Sequence, residues 1–171
     1  MRRLLLLRHT KSSWRDEALP DIERPLAPRG RRAAPAIGIY LRDHKLIPDL
    51  VLASTAQRTR ETWELINLMF AEAPTVRYDD KLYLADADDI LKRIAKAPAA
   101  AETVMVVGHN PGLQELAVAL YDGGEAIDLN RLKTKFPTGG LAIYEFEIDR
   151  WSDIRAKSGR LIEFMAPRDL V

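Results

Sequence analysis

Four leucines, Leu4 to Leu7, form an apolar run that stops at Arg8-His9. A run without alternation reads as a strand buried on both faces, as in a largely parallel sheet. Two more such runs follow: Leu50-Val51-Leu52-Ala53 ends at Ser54, and Thr103-Val104-Met105-Val106-Val107 ends at Gly108-His109-Asn110-Pro111-Gly112. Thr75 to Tyr78 is a shorter one. Between them the spacing becomes helical. Ala33, Ala34, Ile37, Tyr40 and Leu41 share one face of a helix over Pro28 to Asp43, which Pro35 should kink or redefine. His44 closes that helix as an ordinary surface residue. Ala56, Thr59, Trp63, Ile66 and Phe70 mark a second helix, with Ser54 as its cap. Asp86-Ala87-Asp88-Asp89 opens a third, acids first, and Ile90, Leu91, Ile94 and Ala95 face inward. Asn110 as N-cap and Pro111 as the first helical residue open a fourth, carried by Leu113, Leu116, Ala117 and Leu120 and broken by Asp122-Gly123-Gly124. Two strands, Leu141 to Phe146 and Arg160 to Met165, are placed to pair antiparallel. Thr10 to Leu26 reads as a long loop, and long ordered loops are often functional.

Strand and helix alternate, so the expected fold class is α/β: a three-layer sandwich with helices on both faces of a largely parallel mixed sheet. The 171 residues fit one domain spanning 1–171. Burial of roughly 70% of the unfolded surface at this size makes a metal or disulfide staple unnecessary. The net charge of +1 argues against a general nucleic-acid binder. The absence of cysteine removes disulfides, thiolate catalysis and Cys-based zinc sites. Three histidines, His9, His44 and His109, are too few for a metal site unless most of them gather. Met1-Arg2-Arg3 before four leucines has the outline of a signal peptide, but Arg8-His9 ends the apolar stretch too soon. With no run approaching the ~18 apolar residues of a membrane span, the expected location is the cytoplasm.

Ligands of such sheets bind beyond the carboxyl ends of the strands. Three segments bring polar residues to that edge: Arg8-His9, Ser54 to Arg58, and His109-Asn110. Arg58 falls in the first turn of a helix, where positive charge is disfavoured unless an anion is near. Taken singly these residues have ordinary readings; Arg58 could pair with Glu61 one turn on. Together they supply two arginines, two histidines and two helix starts, a set suited to phosphate. Nearby arginines would keep His9 neutral, fit to attack phosphorus. His109 would donate a hydrogen bond to a phosphoryl oxygen.

At these residues the chain resembles the histidine phosphatase superfamily, which includes the phosphoglycerate mutases, and within it the small SixA-type phosphohistidine phosphatases. The likeness runs through Arg8-His9-Thr10-Lys11-Ser12-Ser13-Trp14, Arg24-Pro25-Leu26, Arg29-Gly30, Ser54-Thr55-Ala56-Gln57-Arg58-Thr59, Gly108-His109-Asn110-Pro111-Gly112 and Phe136-Pro137-Thr138-Gly139. The resemblance implies a phosphoglycerate mutase-like fold without a cap domain. It makes His9 the phosphate-accepting nucleophile and Arg8, Arg58 and His109 the rest of the phosphate pocket. Thr10 and Ser12 are further candidate phosphate ligands. No metal or organic cofactor is implied, and the partner is a phosphohistidine-bearing protein.

Thr10 stands where the superfamily motif has glycine, and could crowd the pocket or add a hydroxyl. Larger relatives carry a glutamate that protonates an alcohol leaving group. Asp86, Asp88, Asp16 and Glu17 are candidates for that acid, though helix-start and loop charges are their ordinary reading. Without an acid an alkoxide leaves poorly, whereas a protonated phosphoimidazole leaves as neutral imidazole. The expected function is therefore hydrolysis of the P–N bond of phosphohistidine. The alternatives are a phosphatase for a small ester or anhydride, and a non-catalytic phosphate- or phosphopeptide-binding module; a mutase is disfavoured by length. Lys133, Lys135 and Arg60 could steer an acidic protein partner. The oligomeric state is left open, a monomer included.

Overall fold

The computed structural model describes residues 1–170. Seven strands form one sheet: β1 (Arg2–Arg8), β2 (Leu50–Ser54), β3 (Thr75–Asp79), β4 (Thr103–Gly108), β5 (Tyr121–Gly124), β6 (Leu141–Phe146) and β7 (Gly159–Met165). Their order is β3-β2-β4-β1-β6-β7-β5. Only β6 is reversed: it lies antiparallel to β1 and β7, and the other pairs are parallel. The largely parallel mixed sheet expected from the apolar runs is thus present, as is the antiparallel pairing of its last two strands.

The leucine run shows why the fold has three layers. Side chains alternate across a strand. Leu4 and Leu6 enter the core beneath α3 (Ala87–Ala95), α4 (Gly112–Leu120) and α5 (Ala126–Thr134). Leu5 and Leu7 enter the opposite core, beneath α1 (Pro28–Asp43) and α2 (Gln57–Asn67). All four leucines are fully buried, so the N-terminal apolar stretch is the centre of the sheet. Among the described residues no cap is inserted after any strand, and no helix is long and apolar enough to cross a membrane.

The helix starts differ from expectation in instructive ways. Ser54 does not cap α2. It remains the last residue of β2, and Ala56 holds the cap position without a side-chain bond. The chain needs two residues to turn from strand to helix, which frees the Ser54 hydroxyl for another partner. Pro111, not Asn110, precedes α4, although Asn110 Oδ1 still accepts from the Gln114 amide at 3.3 Å. α1 runs unbroken through Pro35. The carbonyl deprived of its bond belongs to Arg31, which is exposed and can turn to water. α3 opens on acids as expected, and Asp86 is its cap, accepting from the Asp89 amide. His44 is exposed at the end of α1, its Nδ1–H donated to the Tyr40 carbonyl at 2.9 Å.

Candidate active site

The carboxyl ends of β2, β4 and β1 lie side by side and nearly level, with Arg8 opposite Gly108 and Ala53 opposite Val107. The residues that follow must therefore meet. His9 and His109 have ring centroids 5.4 Å apart, and Arg58 Nη2 reaches His109 Nδ1 at 3.4 Å. The edge arrangement inferred from three strand ends is the one the fold builds. Reversed β6 adds a fourth contributor, because its start lies at the same edge. The Phe136 carbonyl accepts from Arg8 Nη1 at 3.0 Å and from Asn110 Nδ2 at 2.9 Å. The Gly139 amide reaches the carbonyls of both Arg8 and His9. Gly139 has φ +74°, and a Cβ there would lie 2.6 Å from Pro167 Cγ, so the loop requires glycine.

His9 is buried, and its Nδ1 lies 2.8 Å from the Thr10 carbonyl. A carbonyl only accepts, so the proton sits on Nδ1 and Nε2 keeps a lone pair. Burial pushes the pKa of His9 down to about 4. The charges of Arg58, Arg8 and Arg24 act in the same direction, against the Thr10 hydrogen bond. Arg58 donates to His109 Nδ1, so His109 carries its proton on Nε2 and gives it to Ser54 Oγ at 2.8 Å. Burial first, then His9 and Arg58, hold His109 at about 3. Donation from His109 to a phosphoryl oxygen thus requires a proton on Nδ1, the form a bound dianion favours.

Both guanidinium groups present unspent donors. The Nε–H of Arg8 and that of Arg58 are buried and have no partner among the described residues. Buried N–H groups are almost always bonded, and an oxyanion is the natural acceptor for two guanidiniums. Arg58 does not pair with Glu61. Glu61 instead takes Arg31 at 2.9 Å and the Leu26 amide at 3.2 Å. Arg58 turns to Asp21, with Nη1 on its carbonyl at 2.8 Å and Nη2 on its carboxylate at 3.0 Å.

Asp21 is the residue the sequence reading missed. It lies on a 3-10 turn within the long loop after β1. Ser12 bridges back to Leu26, so the loop folds over and returns Asp21 and Arg24 to the site. The Asp21 carboxylate also receives Arg24 Nε at 3.1 Å and the Tyr83 hydroxyl. The Tyr83 bond is the first cause holding the pKa of Asp21 at about 2, assisted by Arg24 and Arg58 against desolvation. Tyr83 stands edge-on to His109, centroids 5.4 Å apart. The only trace of this in sequence was the Arg24-Pro25-Leu26 segment, three residues after Asp21.

Thr10 and Ser12, expected as phosphate ligands, both have their hydroxyls engaged within the chain. Thr10 is fully buried; its amide donates to Thr62 Oγ1 at 3.1 Å and its hydroxyl lies 3.3 Å from the same oxygen. Ser12 Oγ accepts from Arg24 Nη1 at 3.0 Å. The side chain at position 10 thus faces α2, which explains how a threonine fits there. Of the acid candidates, Asp16 accepts from the Ala18 amide within its own loop, Asp86 caps α3, Asp88 sits exposed in the first turn of α3, and Glu17 is exposed. Lys133 and Lys135 are exposed, while Arg60 lies over the Tyr78 ring at 4.0 Å. Among the described residues no group of three His, Asp or Glu is arranged to hold a metal ion.

The family model for the histidine phosphatase superfamily, branch 1, matches residues 4–83. The Mycobacterium leprae protein ML1117 is 38% identical over 166 residues, which is 95% of this chain and all of that one. The structure of a SixA protein from Nakamurella multipartitia is 33% identical, covers 97% of this chain and 96% of that one, and superposes with a TM-score of 0.85. The protein histidine phosphatase SixA complexed with tungstate has a TM-score of 0.79 over 99% of both chains; at 19% identity the likeness is one of fold.

Proposed function

Because the chain belongs to the histidine phosphatase superfamily and to its SixA type, its chemistry is that of a phosphatase, and we propose that it hydrolyses the P–N bond of phosphohistidine on a protein through a phospho-His9 intermediate. The observation that carries this reading is the His9 tautomer, with Nδ1–H on the Thr10 carbonyl and a bare Nε2 beside two unspent guanidinium donors. Nε2 attacks phosphorus while Arg8 and Arg58 hold the equatorial oxygens, whose charge must be stabilised as the bonds rearrange. Water then attacks the phosphohistidine, and the Nε2–P electron pair returns to the ring.

The choice of a P–N bond rests on proton supply. An ester that expels an alkoxide needs a donor. The carboxyl group nearest Arg58, Asp21, is held ionised at about 2 and has no proton to give at neutral pH. A protonated phosphoimidazole needs none. Among the described residues no cap domain stands over the strand ends, and the side chain of Asp21, beside Arg58, is 42% exposed, which leaves the rim of the site open to a protein surface.

Incubation with a phosphohistidine-bearing protein, followed by rapid quenching and mass spectrometry, should find transient phosphate on His9, and His9→Ala should abolish turnover. Rapid dephosphorylation with no phosphate ever on His9 would overturn the covalent route.

A further inference from the structure

A carboxylate inside a phosphate pocket is an electrostatic conflict, since it repels the ligand the arginines attract. Asp21 is such a group: its carboxylate lies 3.0 Å from Arg58 Nη2, which itself contacts His109. If Asp21 served only to hold Arg58, it could be fully spent on its neighbours. A carboxylate offers about four acceptor sites. Arg58 and Tyr83 occupy two on Oδ2, and Arg24 occupies one on Oδ1. One site on Oδ1 has no partner among the described residues, and the side chain is 42% exposed.

We propose that Asp21 is a specificity residue that accepts the distal ring N–H of the substrate's phosphohistidine, keeping that ring protonated while its phosphoryl group is transferred. The inference rests on the phosphohistidine reading of the site and deepens it. Phosphorus is bound to one ring nitrogen of the substrate; the other carries a proton when the ring is an imidazolium. Held by Asp21, that proton stays. His9 Nε2 forms a bond to phosphorus, the substrate's P–N bond breaks, and its electron pair returns to the departing nitrogen. The leaving group is then a neutral imidazole with its proton still on the distal nitrogen, so no external acid is consumed.

The enzyme's own histidine is treated in the same way. The His9 distal N–H is held by the Thr10 carbonyl at 2.8 Å, and phospho-His9 is therefore an imidazolium whose ring is also a good leaving group for water. The reaction passes phosphate from one imidazole to another and needs a distal-nitrogen acceptor on each side. Thr10 supplies one and Asp21 the other. An ester substrate has no such N–H, so the carboxylate only repels it, and the apparent conflict becomes discrimination.

The experiment compares a phosphohistidine peptide with p-nitrophenyl phosphate, whose leaving group needs no proton, using wild type, Asp21→Asn and Asp21→Glu. Asp21→Asn should lower the kcat/KM ratio of the first substrate to the second by about 10–100-fold, the worth of a charge-assisted hydrogen bond. Asp21→Glu, which keeps the charge, should recover part of it. The groups facing Asp21 are Arg24, Arg58 and Tyr83, and His109 lies behind Arg58. Asp21→Asn also withdraws a negative charge that raises the pKa of both His109 and Tyr83, a change common to the two substrates. Relative to the p-nitrophenyl phosphate profile, the basic limb of the phosphohistidine profile should therefore move to lower pH as the substrate ring loses its proton more readily. An unchanged ratio, or an equal loss on both substrates with no shift of that limb, would overturn the inference and leave Asp21 as a mere holder of Arg58. Failure of the broader reading is distinct: wild type would then cleave p-nitrophenyl phosphate and leave the phosphohistidine peptide intact.

Discussion

His9 and His109 are imidazoles buried beside guanidinium groups, and both stay neutral where an exposed histidine takes a proton. In the unfolded chain each titrates near 6.5. Their folded values of about 4 and about 3 are depressed, so below 6.5 the unfolded state binds protons that the folded state refuses. Stability is present above 6.5 and is lost as pH falls toward the folded values. Asp21 acts in the same direction lower down, between its ordinary value and about 2. The melting temperature should therefore fall steadily from pH 7 to pH 4. His109→Asn, measured relative to its own pH 7 value, should fall less steeply; an identical slope would show that His109 titrates normally. The residues behind this behaviour were legible for a physical reason. Arg8, His9, Arg58 and His109 each break a strong local pattern, a polar stop to an apolar strand or a cation at a helix start. Asp21 breaks none. An acid in a polar loop is ordinary, and its role exists only because Arg58 and Tyr83 arrive from other elements.

The elements that carry these residues are tied together by one hydroxyl. Thr62 Oγ1, on α2, takes the Thr10 amide, lies against the Thr10 hydroxyl and donates to the Arg58 carbonyl at 2.7 Å. It is fully buried. It therefore joins the loop after β1, which aims His9, to the helix turn that aims Arg58. Thr62→Val keeps the shape and leaves the buried Thr10 amide without a partner, at about 1–3 kcal/mol. Urea denaturation should show that loss, and kcat should drop with it because the nucleophile and the clamp lose their common reference. Reduced stability with unchanged kcat would limit the link to folding. At this scale the sequence was less informative. β5 was read as a helix break because it has only four residues, two of them glycines at positive φ. α5 is not announced by the sequence pattern because Leu132 is its only buried residue and Ile127 is 72% exposed, so no apolar stripe marks a helix.

At the scale of the whole molecule the site belongs to no single element. It needs three adjacent parallel strand ends, the start of the one reversed strand, and a loop that doubles back through Ser12 and Leu26. Strand order is not written in local periodicity, which is why the meeting of Arg8-His9, Arg58 and His109 could be argued from sequence only by the rule that such edges bind ligands. An oxyanion bound there would bridge β1 and α2 and should stabilise the fold as a unit. Tungstate at a hundredfold excess over its Kd should contribute about 2.7 kcal/mol. For a chain of this size that corresponds to a rise in Tm of about 5–10 °C. His9→Ala should keep most of the rise, because Arg8 and Arg58 supply the buried Nε–H donors. Arg58→Ala should lose more than half of it, since it removes one of those two donors and the cation beside His109. A rise that survives Arg58→Ala but vanishes in His9→Ala would move the anion's hold from the guanidiniums to the imidazole, and would make nucleophile and clamp the same residue.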